Sequence, residues 1–203
     1  MANKSPPKHQ SATNAAGFAA NLIEYVEVFV FALIFVILLM TFCLRLCVVD
    51  GPSMNNTLKH GEKLLISDFF YKPKTGDIIV FHLSGSDVEY YNKPLVKRVI
   101  ATEGQYVKID YMEKAVYVSQ DEIFEESERL DESGYAFYDS GIFDEAITNT
   151  PAEIFAVPEN HLFVMGDNRN NSADSRNVHI GMVSESCVLG KALLRLAPLT
   201  VFK

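Results

Sequence analysis

"VFVFALIFVILLMTFCL", residues 28 to 44, is a run of 17 residues without a charge, and its reading divides the chain in two. At about 1.5 Å of rise per residue, a helix of this length covers roughly 26 Å, close to a bilayer hydrocarbon core of about 30 Å. Leu22, Ile23, Tyr25 and Val26 extend the run upstream, while Glu24, Glu27 and Tyr25 suit the headgroup zone. A buried core helix is one alternative, but so long an apolar stretch would swamp the small domain that remains. A cleavable secretory leader is another. It needs a shorter apolar region and a small-x-small exit, which "RLCVVDG" (45 to 51) lacks. The expectation is an uncleaved single-pass anchor over 22–46, in contact with a lipid bilayer. A disordered tail over 1–21 precedes it, rich in Ser, Ala, Asn, Pro and Lys. Lys4 and Lys8 precede the span, and Arg45, Lys59 and Lys63 follow it, so charge counting does not orient the anchor.

Beyond the anchor the pattern changes to short alternating runs. "KLLISDFF" (63 to 70), "DIIVFHL" (77 to 83), "PLVKRVIAT" (94 to 102), "YVKIDYM" (106 to 112), "KAVYVS" (114 to 119), "HLFVMGD" (161 to 167) and "CVLGKALLRL" (187 to 196) are rich in Val, Ile, Phe and Tyr. Turn clusters such as "KPKTGD", "LSGSD", "NKP", "EGQ" and "PEN" bound them. Short strands with turns between them predict a mainly β domain over 47–203. Tyr106 to Ser119 reads as a hairpin turning at Met112, Glu113 and Lys114.

The net charge of −8 argues against a nucleic-acid partner. The acidity is local. Residues 110 to 159 hold 14 acids and two bases, a balance of −12 that leaves +4 for the rest of the chain. Periodicity is weak from Asp121 to Pro158, so this stretch reads as an exposed elaboration between two groups of strands. The three cysteines, Cys43, Cys47 and Cys187, are odd in number and spaced for neither a disulfide framework nor a zinc site. They read as small apolar residues, with Cys43 and Cys47 on one helical face. No metal or cofactor is expected.

The chemistry lies in three separated pieces. In "VVDGPSMNNTL" (48 to 58), Gly51 and Pro52 bend the chain just before Ser53. A serine hydroxyl needs a base to become a nucleophile. None of His9, His60, His82, His161 or His179 stands in a recognisable Ser/His/Asp context, and G-x-S-x-G, H-E-x-x-H and P-loop patterns are absent. A lysine can serve instead if burial keeps it neutral. "LVKRVI" (95 to 100) offers one: strand alternation puts Leu95, Lys97 and Val99 on one face and Val96, Arg98 and Ile100 on the other. A lysine snorkelling from a half-exposed strand is the plain alternative. The third piece, "MGDNRNNSADSR" (165 to 176), follows an apolar strand directly and interleaves Asp167, Arg169, Asp174 and Arg176 with small polar residues. It is a solvated loop, or a loop whose path Asp–Arg pairs two apart fix so that it can hold a hydroxyl against a buried amine.

Taken together, "GPSMNNTL", "GDIIVF" with "VKRVIATEGQ", and "GDNRNNSADSR" resemble the bacterial type I signal peptidase family, in order, in spacing and in the preceding anchor. The resemblance covers roughly residues 22 to 200. It implies a Ser–Lys serine endopeptidase whose antiparallel β-sheet catalytic domain carries an inserted variable subdomain, here the acidic segment over 103–158. Such an enzyme cuts secretory preproteins after small residues at −1 and −3. The resemblance makes Ser53 the nucleophile and Lys97 the general base. Ser172 becomes the hydroxyl that orients the amine, and Asp167, Asp174, Arg176 and Arg98 become supporting charges. It also implies residence in the plasma membrane with the catalytic domain on the extracytoplasmic side, near the secretion translocon.

The sequence departs from the family pattern in three places. Asn56 stands where the serine box often has proline. "ATEGQ" (101 to 105) replaces G-x-P-G-D, bringing Glu103 and Gln105. Gly51 occupies a position where some members place a serine that helps bind the oxyanion, which leaves that task mainly to the Ser53 N–H. Two rival readings remain. One is a soluble Ser–Lys self-cleaving regulator, against which the anchor argues. The other is a non-catalytic, membrane-tethered β module that binds exported chains.

Overall fold

The computed structural model describes residues 9–83, 92–125, 128–138 and 152–202. Helix α1 runs from His9 to Phe42. Its segment Asn21–Leu39 is long and apolar enough to cross a membrane. The tail expected through residue 21 is helical from His9 onward. Ala12, Ala15, Ala16, Ala19 and Ala20 carry good helix propensity and continue the helix backward from the apolar run. The residues before His9 lie outside the described part. The other anchor boundary also shifts. The helix stops at Phe42, and Arg45–Val48 form strand β1, which pairs antiparallel with β2 (Lys63–Ser67). Apolar character alone did not separate the end of the anchor from the first strand of the sheet. Cys43 and Cys47 therefore do not share a helical face. Cys47 packs from β1 against the core, where burial pushes its thiol pKa up.

From Leu44 on, the chain forms one compact unit. Each of the seven expected runs contains a strand. Beside β2 these are β3 (Ile78–Phe81), β4 (Leu95–Ala101), β5 (Tyr106–Asp110), β6 (Ala115–Ser119), β8 (His161–Met165) and β10 (Val188–Leu196). Sequence reading missed β7 (Ala152–Ala156), β9 (Val183–Ser184) and β11 (Leu199–Val201), besides β1. The larger sheet is antiparallel in the order β1-β2-β10-β3-β4-β8-β9, with β11 on β10. The smaller sheet, β6-β5-β7, contains the expected hairpin. β7 lies in the acidic stretch, where weak alternation concealed it, and its ladder with β5 runs from Ala152 opposite Asp110 to Ala156 opposite Tyr106. β10 pairs with β2, β3 and β11, and its register with β3 shifts beside Gly190. A β-carbon there would lie 2.7 Å from the Ser67 carbonyl carbon, so the close approach needs glycine.

The core has three parts. Val49, Met54, Leu58, Leu64, Val80 and Val96 form one, beside the serine turn. Ile79, Phe81, Leu95, Val99, Leu162 and Val164 form the second, with Cys187 packed against it. The third, with Ile100, Phe163 and Met165 against Val107, Ile109 and Val116, welds the small sheet to the large one. β4 contributes to all three and is buried along its whole length. A half-exposed strand with a snorkelling lysine is thereby excluded, because Lys97 is only 3% exposed.

Candidate active site

Ser53 sits in a turn that leaves β1 and returns toward β2. Gly51 takes φ 99°, Asn55 N–H donates to the Pro52 carbonyl at 2.9 Å, and Leu58 N–H to the Met54 carbonyl at 2.8 Å. Met54 and Leu58 are fully buried, so the turn is pinned by its apolar residues while Ser53 faces a cleft of about 170 Å³. Gly51, Pro52, Leu95, Lys97, Asn171 and Ala173 help to line that cleft. The Ser53 backbone N–H has no hydrogen-bond partner among the described residues.

Lys97 reaches Ser53 from the middle of β4. Its Nζ donates to Ser53 Oγ at 2.8 Å and to the Val96 carbonyl at 3.1 Å. Burial lowers its pKa from 10.5 to about 8. Asp174 pulls the value back up in part, and Arg176 pushes it down again. The amine is thus neutral in about a tenth of molecules at pH 7 and in about half at pH 8, far more than an unperturbed lysine would be.

The third segment wraps the pair from behind β8. Asp167 accepts from Arg98 Nε at 2.8 Å, Arg98 Nη2 at 2.7 Å and Thr57 Oγ1 at 2.5 Å. Asp174 accepts from Arg176 Nε and Nη2 at 2.8 Å each, and from Gly166 N–H at 3.0 Å. Burial alone would raise the Asp174 pKa, but the Arg176 guanidinium, helped by the Gly166 N–H and the neighbouring Ser172 hydroxyl, more than offsets it and holds the carboxyl below its ordinary value. Of the Asp–Arg pairs two apart, Asp174–Arg176 forms. Asp167 instead pairs across strands with Arg98, and Arg169 with Glu132.

Gly166 is the point of closest approach. A β-carbon there would lie 2.5 Å from the Ser53 carbonyl oxygen and 2.6 Å from Ser172 Cβ. The backbone oxygen cannot yield without moving the serine. Gly166→Ala is therefore expected to lower kcat by about 100-fold, the scale of a 1 Å misplacement of reacting groups. Turnover rates, with the fold followed by circular dichroism, check this; a well-folded variant at wild-type rate would contradict it.

Among curated relatives, a probable signal peptidase I-1 of Synechocystis is 32% identical over 185 residues, or 86% of this chain and 82% of its own. Signal peptidase IB of Staphylococcus aureus is 30% identical over 189 residues, 90% of this chain and 93% of its own. A solved signal peptidase I from Enterococcus faecalis covers 60% of this chain and 97% of that one, at 26% identity and a TM-score of 0.38. The pattern of the family described as "Signal peptidase, peptidase S26" matches residues 22–197. This chain belongs to that signal peptidase family. Membership makes it a signal-peptide-removing protease, and the apolar α1 fits a membrane-anchored enzyme.

Within this signal peptidase the departures from the family pattern take definite form. Asn56 has φ 75°, which a proline ring forbids and which asparagine tolerates. The turn after β4 is closed by Gln105, whose Oε1 accepts from Thr102 N–H at 2.9 Å, and by Glu103, whose Oε2 accepts from Asn160 N–H at 2.8 Å. Ser172 does not bond Lys97. Its hydroxyl is buried beside Asp174 with no aligned hydrogen bond. Sequence reasoning gave no role to Thr57, Gly166 or Asn168 and offered Arg169 only as a partner of Asp167, although all four stand inside the quoted motifs. Asn168 secures the Ser53 peptide directly: its N–H donates to the Ser53 carbonyl at 3.0 Å and its Nδ2 to the Pro52 carbonyl at 3.3 Å.

Proposed function

We propose that this signal peptidase works as a Ser–Lys serine endopeptidase, and the 2.8 Å contact between buried Lys97 Nζ and Ser53 Oγ carries the reading. The neutral amine takes the Ser53 proton as Oγ attacks the scissile carbonyl. The resulting ammonium gives that proton to the leaving amine. A water that loses its proton to the same amine then hydrolyses the ester. The Ser53 N–H, unpartnered among the described residues, is free to donate to the developing oxyanion.

Ser172 is the hydroxyl that orients the Lys97 amine, accepting a hydrogen bond from it once the amine is protonated, which would give its buried Oγ, now beside Asp174, an aligned bond. Asp174, Arg176, Asp167 and Arg98 fix the loop around that amine. The small cleft supports small side chains at −1 and −3, since alternate residues of an extended preprotein face the same way. The proposal extends to a catalytic domain on the extracytoplasmic side of the plasma membrane, with α1 in the bilayer and the secretion translocon nearby. The serine stands only a few residues past the anchor, as cleavage of an emerging chain requires.

The pH dependence tests the base. Only the unprotonated amine accepts a proton, so kcat/KM should rise with pH through about 8 and then level off. An unperturbed lysine would place the limb near 10.4 instead. A rate that falls as pH rises from 6 to 9 would rule out the lysine base.

A further inference from the structure

Part of the acidic insertion lies against the loop that holds Ser53. Phe137 N–H donates to the Asp167 carbonyl at 2.7 Å, and Arg169 N–H donates to the Phe137 carbonyl at 2.9 Å, a single parallel bridge. Glu132 forms an ion pair with the Arg169 guanidinium, and the two residues are 9% and 2% exposed. The Tyr138 hydroxyl sits between them: it donates to Glu132 Oε2 at 3.2 Å and accepts from Arg169 Nη1 at 3.3 Å. The Tyr135 ring lies 4.0 Å from Arg98 Cζ and 5.9 Å from Arg169 Cζ.

From Arg169 the contacts lead to the nucleophile. Its Nε donates to the Gly166 carbonyl at 3.1 Å, and its own carbonyl accepts from Arg176 Nη2 at 2.9 Å. Asn168, next in the chain, donates to the carbonyls of Ser53 and Pro52. A guanidinium this deeply buried needs a negative partner, because it cannot shed its proton. Burial would lower its pKa, but Glu132 more than offsets that and raises it. The partner comes from the insertion, not from the motif that contains the arginine.

We propose that segment 128–138 is a positioning brace for the nucleophile, in which Glu132 acts through Arg169 and Asn168 on the Ser53 peptide. The brace rests on the Ser53 nucleophile proposed above, and it gives this part of the acidic insertion a role in turnover. Glu132 touches no reacting atom. Its effect is on where Ser53 Oγ and N–H point.

The test uses the full chain in detergent, with preprotein cleavage and amide hydrogen exchange measured on the same preparations. For Glu132→Gln, kcat per active site titrated by the acylation burst should fall about 10-fold while KM stays within about twofold. Amide exchange over 52–57 and 166–171 should quicken by about 10-fold or more. Glu132→Asp should recover part of the loss. Tyr138→Phe keeps both charges, so it serves if Glu132→Gln fails to fold, and it should show the same changes at about threefold. Unchanged exchange in these segments overturns the brace. So does faster exchange with wild-type kcat, or a rise in KM alone, which would put Glu132 in contact with substrate. Retained cleavage by Ser53→Ala would instead remove the nucleophile reading, and the exchange data would still judge the brace by itself.

Discussion

Lys97→Met is expected to lower kcat/KM by about 1,000-fold or more while raising the melting temperature at pH 7. The activity loss follows from the contact at 2.8 Å: with the amine gone, Ser53 Oγ has no base within reach among the described residues. General-base catalysis contributes about 10²–10⁴-fold, and loss of a nucleophile's activating partner costs at least that scale. The stability gain follows from the same burial. The folded pKa of about 8 lies below the ordinary 10.5, so below pH 8 both states are protonated and the folded state carries the full cost of a desolvated ammonium. The net cost, after Asp174 and Asp167 have offset part of it, is about 3 kcal/mol, since lowering a pKa from 10.5 to about 8 costs 1.36 kcal/mol for each unit. Between pH 8 and 10.5 the unfolded chain binds more protons than the folded one, so wild-type stability rises with pH. The advantage of Lys97→Met should therefore shrink over that window. Rates and melting curves of both proteins from pH 6 to 11 test this. A variant that keeps full cleavage would end the Ser–Lys mechanism, and one that melts lower at pH 7 would show that the lysine is not held against its solvation.

The opposite signs of those two effects are informative. A lysine retained for packing would cost stability when removed. One retained for chemistry is a liability to the fold, tolerated where proton transfer requires it. β4 makes the point locally: every residue from Leu95 to Ala101 is buried, in a strand otherwise built for the core. The non-catalytic alternative has no use for that arrangement.

Periodicity made β2, β3, β4, β5, β6, β8 and β10 legible, because each has an apolar run bounded by turn residues. β1 was hidden since its residues continue the apolar character of the anchor, and β7 since strong acidity around it masks the alternation. Ser53 and Lys97 were readable as candidates from their motifs, and the lysine's burial was inferable from its neighbours. What the sequence could not show is which charges meet. Arg98 with Asp167 and Arg169 with Glu132 are separated in sequence and joined by sheet pairing: β4 beside β8, and segment 128–138 across the loop. Local spacing favoured pairs two apart, and that held for Asp174 and Arg176 alone.

Asp167→Ala is the substitution expected to damage the fold most. Asp167 is fully buried and takes two hydrogen bonds from Arg98 and one from Thr57. Its removal leaves the Arg98 guanidinium, 9% exposed, with the Gly76 carbonyl and the Tyr135 face as its remaining partners here. Arginine cannot escape by losing its proton. Breaking a buried pair from one side costs about 3–5 kcal/mol, a large share of the roughly 5–15 kcal/mol that holds a domain together. The expected drop in melting temperature is on the order of 10 °C. Arg98→Met combined with Asp167→Leu removes both charges and should recover most of that stability, since apolar replacement of a whole buried pair is often neutral. Activity should not return with it. Asp167 also anchors Thr57 in the serine turn and precedes Asn168, which holds the Ser53 carbonyl. A double variant that is stable yet slow would separate the two duties of this carboxylate, compensating a buried charge and holding the Ser53 turn in line. Denaturant unfolding of the three proteins beside their initial rates distinguishes these duties, and a loss under about 1 kcal/mol for Asp167→Ala would show that solvent reaches the Arg98 charge after all.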